Sequence, residues 1–206
     1  MPSFAPLTLL LLAAPPQTYE LDAARSHVLV HVGKAGLLAL AGHEHEVEAP
    51  VAEGRVQVDA ENPAASSVEL RFLAGALRVT GRNEPAGDVP KVQARMAGPE
   101  VLDVGRFPEI RFRSTAVSAT PAGASAWRLV LRGELELRGA SRALELPLSV
   151  SLEGDELRAR GQARLRQTAF GIQPISVAGL VKVKDELLVE FDLVARRAPE
   201  GAVKPR

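Results

Sequence analysis

The 206-residue sequence contains no cysteine. That removes a disulfide framework, a thiolate metal site, a cysteine nucleophile and a lipidated N-terminal cysteine from consideration. Aromatic residues are scarce at 4%, with a single Trp, so a stacking platform for bases or sugars is not expected. Neither sign of charge is in excess, since 25 Lys and Arg meet 25 Asp and Glu. Nucleic-acid binding needs a surplus of clustered positive charge to displace counterions, and no such surplus is present. No apolar run reaches the ~20 residues that a membrane-crossing helix requires. Catalytic signatures are missing as well: there is no Gly-x-Ser-x-Gly elbow, no glycine-rich phosphate loop before a lysine and no His-Glu-x-x-His. The chain is therefore not expected to be an enzyme, and no catalytic residue is assigned. What is present is a globular composition, 46% hydrophobic and 24% charged, at the length of one domain.

Residues 7–14, Leu-Thr-Leu-Leu-Leu-Leu-Ala-Ala, form a short apolar block followed by small residues and two prolines. The pattern reads as an export signal over residues 1–16, which predicts a periplasmic or secreted protein. No Lys or Arg precedes Leu7, so an apolar tail is the alternative reading. The domain is then expected over 17–195, with a polar, fraying tail over 196–206.

Beyond that block the dominant period is two, the signature of a half-buried strand. Val28, Val30 and Val32 alternate with polar neighbours, as do Val68, Leu70 and Phe72, and Ile110 and Phe112. Trp127, Leu129, Leu131, Leu135 and Leu137 share one face of a long strand, opposite Arg128, Arg132, Glu134 and Glu136. Leu144 to Leu152, Leu157 to Leu165 and Val181 to Leu193 continue the series. Breaks at 138–142, 153–155 and 184–186 suit hairpin connections. One segment differs: Asp88 to Met96 carries Val89, Val92 and Met96 at helical spacing, with Asp88 as N-cap and Pro90 in the first turn. Many antiparallel strands with one aliphatic and one charged face predict an all-β antiparallel barrel of about eight strands with one short helix. Small inward residues at Ala159, Gly161 and Ala163 leave two readings open, unfilled interior space or close strand packing.

Four segments carry a resemblance to a known family. They are Tyr19-Glu20-Leu21-Asp22 with Ser26-His27-Val28, then Leu102-Asp103-Val104 with Phe107-Pro108-Glu109-Ile110-Arg111-Phe112, then Gly133 to Leu148, and finally Phe170-Gly171-Ile172. Their order and spacing over residues 19–195 resemble the YceI-like family of lipocalin-like barrels. Arg25 and Gln167 stand where that family usually has His and Arg. The resemblance implies a protein that encloses a polyisoprenoid or quinone-like lipid for transport or sequestration. Its barrel lining is then expected from Val28, Val30, Val32, Val68, Leu70, Phe72, Ile110, Phe112, Trp127, Leu129, Leu131 and Phe170. It also implies that the segment between Ala76 and Asp103 shapes the mouth of the ligand tunnel.

The four histidines, His27, His31, His43 and His45, all fall within one short stretch. Imidazole is a ligand for zinc, copper or nickel, and pairs on adjacent strands could supply three donors, so a metal-binding barrel is a second reading. The inward valines at 28, 30 and 32 put His27 and His31 outside the barrel, and a solvated histidine cluster is the blander alternative, so no metal or other cofactor is expected. The row Arg158, Arg160, Arg164 and Arg166 is read as a solvated strand face paired with acidic neighbours rather than a phosphate site. A third reading is a structural or stress-linked interaction protein with a filled core. The sequence leaves a homodimer open.

Overall fold

The structure is a computed structural model that describes residues 16–35, 44–59, 61–82, 85, 87–177 and 181–199. Alternating segments become twelve strands: β1 (Gln17–Leu21), β2 (His27–Ala35), β3 (His45–Glu48), β4 (Val51–Val58), β5 (Ser67–Leu73), β6 (Arg78–Val79), β7 (Glu109–Gly123), β8 (Ala126–Leu137), β9 (Ala140–Glu153), β10 (Glu156–Arg166), β11 (Ser176–Val177) and β12 (Val181–Arg197). One helix, α1 (Val89–Ala97), lies between β6 and β7. Hydrogen bonding runs β1-β4-β5-β7-β8-β9-β10-β12, and β12 returns to β1, so eight antiparallel strands close a barrel as expected. β2, β3 and β6 extend the wall where β1 stops.

β12 holds the closure together. One of its edges pairs with β10 from Glu186 to Arg196. It also pairs with β2 from Lys182 to Asp192 and with β1 from Ala195 to Arg197. Between β1 and β2 the chain leaves the ladder at Asp22–Ser26. Ser26 replaces the missing ladder partner: the Val194 amide donates to its Oγ at 3.0 Å, and Oγ donates to the Val194 carbonyl at 3.3 Å. With the Asp22 amide also donating to that carbonyl at 2.8 Å, neither main-chain group of Val194 is left unpaired, although Val194 is almost fully buried.

The buried residues form two hydrophobic clusters. One gathers Val28, Val47, Val51, Leu77, Val79 and Leu102, with α1 packed on it through Val89, Val92 and Met96. The other gathers Phe112, Val117, Leu131, Leu135, Phe170 and Ile172. Aromatic rings lie over three of the glycines, Phe191 over Gly161, Phe112 over Gly133 and Phe107 over Gly139. A Cβ at Gly161 would stand 2.6 Å from the Phe191 ring, and one at Gly133 would stand 2.5 Å from that of Phe112. Gly161 therefore reflects close packing, whereas Ala159 and Ala163 face open interior.

Three local expectations need correction. Lys184-Asp185-Glu186 is no hairpin but a bulge inside β12, where the pairing with β2 jumps between Val183 and Leu187. Its acidic residue has a task that explains the break: Asp185 accepts from the Thr168 amide and hydroxyl, both at 2.8 Å. Arg196 and Arg197 belong to β12, paired with Glu20 and Tyr19, so the first two residues of the expected tail are strand. Asp88 occupies the N-cap position but makes no side-chain cap, and its carboxylate takes the Lys91 ammonium at 3.1 Å instead. The turn at Arg138-Gly139 has φ of 50° and 70°, the paired left-handed geometry that suits two-residue hairpins. Residues 1–15 of the expected signal and 200–206 of the expected tail lie outside the described residues.

Candidate functional site

The inward faces of the strands enclose one continuous cavity of about 440 Å³. Its wall is built by simple alternation: Val28, Val30 and Val32 from β2, Val68, Leu70 and Phe72 from β5, Ile110 and Phe112 from β7, and Trp127, Leu129 and Leu131 from β8 all reach it. Eleven of the twelve residues named from the sequence therefore face the cavity. Phe170 is the exception. It sits at 3% exposure in the core cluster with Phe112 and Ile172, and Ile172, two residues on, supplies the surface that meets the cavity. The single-turn helix Gln167–Phe170 ends at Gly171 with φ 70°, which turns Phe170 away behind the wall.

The two ends of the cavity differ. At the end formed by the start of β1 and the end of β4, Gln17 and Pro63 both line the cavity and are exposed to solvent. They are the only described lining residues that are exposed, so the cavity opens there. The opening has a built rim. Asp59 Oδ1 accepts the Glu61 and Asn62 amides at 3.0 and 2.7 Å, and the Asp59 amide donates to Ser66 Oγ at 3.1 Å. This Asx-type turn holds Pro63 at the mouth and leaves Gln17, Asp59 and Ser66 as its polar lining. Trp127 and Leu152 line the facing side. At the opposite end Leu77, Met96, Leu102 and Ile172 form a buried or half-buried floor. The segment between Ala76 and Asp103 thus contributes to the floor rather than the mouth. Gln167 is the polar side chain among the described lining residues at that end, buried, with its amide donating to the Lys184 carbonyl at 2.7 Å.

Sequence reasoning missed the rim and the floor. Asp59 and Ser66 flank strands instead of alternating within them, and Gln17 is the polar first residue of β1, although Asp59-x-Glu61-Asn62-Pro63 is a recognisable turn signal. Met96 and Leu102 become lining only through the docking of α1, a tertiary event.

The outer face is charged and internally paired. Asp192 accepts from Arg158 at 2.7 and 2.6 Å and from Arg160 at 3.0 Å, and Arg164 meets Glu186 at 2.5 Å. The bonds from Arg158, with Arg160 adding to them, hold the Asp192 carboxyl below the usual carboxylate range. Three members of the arginine row thus have acidic partners on the neighbouring strand.

The histidines do not converge. His27 and His31 lie on the outer face of β2, where His31 Nε2 is 3.0 Å from Glu190 and Nδ1 is 3.9 Å from buried Glu46. The β2–β3 register sets His31 opposite Glu46 and His45 opposite Val32, so His45 has the inward parity of Val32 and Val47. One metal ion cannot take both. His43 lies outside the described residues, and among those described no three His, Cys, Asp or Glu side chains are grouped to hold a metal.

A model of the YceI-like domain matches residues 19–195. Among solved structures, BcnA from Burkholderia cenocepacia superposes with a TM-score of 0.64 at 20% identity, covering 84% of this chain and 98% of that one. A polyisoprenoid binding domain from Saccharophagus degradans, described as implicated in plant cell wall breakdown, gives 0.64 at 12% identity, covering 88% and 99%. A YCEI protein of Campylobacter jejuni gives 0.53 at 9% identity, covering 73% and 84%. At such identities the likeness of the structures is one of fold. A comparison with curated proteins returns no match.

Proposed function

The chain belongs to the YceI-like family, and from that premise we propose that it binds a polyisoprenoid or quinone-like chain inside its barrel and carries or sequesters it. One observation supports this above others: a continuous cavity, walled almost entirely by aliphatic side chains and open at one end. Burying an apolar chain there gains about 25 cal/mol per Å² removed from water, without directional bonds or a reactive group. The polar rim suits a head group that stays near solvent. The Saccharophagus neighbour is described as polyisoprenoid binding, which adds weight to the ligand class. A filled core does not fit a barrel with this interior. The reading needs no catalytic residue, metal or cofactor, and the apolar block at 7–14 supports action outside the cytoplasm.

The test is to purify the protein without detergent, extract it with organic solvent and identify what is released by mass spectrometry. An isoprenoid lipid near one per chain is expected. Protein that is repeatedly empty and also fails to take up added prenyl lipids would sink the proposal.

A further inference from the structure

We infer that the barrel acts as a ruler that accepts about three to four isoprene units and leaves longer chains protruding from its mouth. The inference rests on the lipid-binding reading above and gives it a chain length. Its first ground is volume. A dry aliphatic cavity of about 150 Å³ holds one benzene ring. On that scale the cavity of about 440 Å³ takes roughly 18 carbon atoms, which is the size of a farnesyl to geranylgeranyl chain.

The second ground is that, among the described residues, exposed lining lies at one end of the cavity. Exposed lining occurs at Gln17 and Pro63. The far end is closed by Leu77, Met96, Leu102 and Ile172, with Phe170 packed behind Ile172. A chain that enters tail first advances until it meets this floor. Each methylene inside the wall adds burial, whereas a methylene left outside the mouth stays in water and adds none. Affinity should therefore climb with length and then stop climbing.

The third ground is that the depth is set by particular side chains. Ala163 lines the floor-ward half, opposite Val189 of β12, and its small size leaves space that a larger residue would occupy. Met96 comes from α1, and shortening it would deepen the cavity. The two substitutions should move the limit in opposite directions.

The experiment titrates the full chain with geraniol, farnesol, geranylgeraniol and the hexaprenyl and octaprenyl alcohols. Trp127, the only Trp and a lining residue, reports binding by its fluorescence. Affinity is expected to rise at least about tenfold per isoprene unit up to geranylgeraniol and then to stay within about threefold. Ala163→Leu should bring the break one unit shorter, and Met96→Ala should move it to a longer chain. Ala163→Leu fills space rather than opening it, so it keeps the test alive if Met96→Ala does not fold. Affinity that keeps climbing to the octaprenyl alcohol, or a break that Ala163→Leu leaves in place, overturns the ruler while the lipid reading stands. Failure of every alcohol to bind overturns the lipid reading itself and the ruler with it.

Discussion

Ser26 does more for the barrel than a buried hydroxyl of its size suggests. Its Oγ is both acceptor and donor for the main chain of Val194 at the gap between β1 and β2. Ser26→Ala leaves the buried Val194 amide without its acceptor, while the carbonyl keeps the Asp22 amide at 2.8 Å, and an orphaned buried group costs about 1–3 kcal/mol. The urea midpoint should fall accordingly, and a midpoint unchanged within error would mean that water replaces the hydroxyl. Asp192 works through charge instead. Its folded-state value lies below the unfolded value of about 3.9 because Arg158, then Arg160, bond to its ionised form. A group depressed on folding contributes stability that is complete above the unfolded value and disappears as pH falls through the folded one. Asp192→Asn should thus be less stable than wild type at neutral pH, and the gap should close in acid. Urea unfolding at neutral, mildly acidic and strongly acidic pH measures it, and a gap that persists in strong acid would show that shape rather than charge is responsible.

At the scale of the element, β10 and β12 fit because a glycine lies under a ring. In Gly161→Ala the new methyl would stand 2.6 Å from Phe191 and 2.7 Å from the Pro147 carbonyl oxygen. One of those is backbone and cannot rotate away, so a loss of about 1–3 kcal/mol is expected, read as a lower melting temperature with an unchanged far-ultraviolet spectrum. The strands themselves were readable from sequence wherever two faces differ in polarity. Trp127 to Leu137 and Val28 to Val32 are such cases, since alternation is a local property of the backbone. What escaped was everything that depends on a partner. Lys184-Asp185-Glu186 has a turn's composition, yet the pairing of Val183 and Leu187 with β2 on either side keeps it inside one strand, and Asp185 serves a helix turn elsewhere. The face of His45 follows from its register with β2, which no stretch of sequence states. Phe170 lies past the end of β10, where the period that placed the other lining residues has lapsed.

In the whole molecule, aliphatic residues inside and paired charges outside give the neutral charge balance a spatial order. The cavity ties Met96 on α1, Ile172 after β10 and Pro63 after β4 to one volume, so residues far apart in sequence share one effect on binding. Closure has the same long reach. Tyr19 and Arg197, partners in the β1–β12 register, are 178 residues apart. A ribosome adding about 5–20 residues each second needs roughly ten to forty seconds to make the second after the first. Until then the closing register between β1 and β12 cannot form. No intermediate length can seal the barrel, because β12 alone borders β10, β2 and β1. The barrel is therefore completed in time by its last strand, after nearly all of the chain has been made.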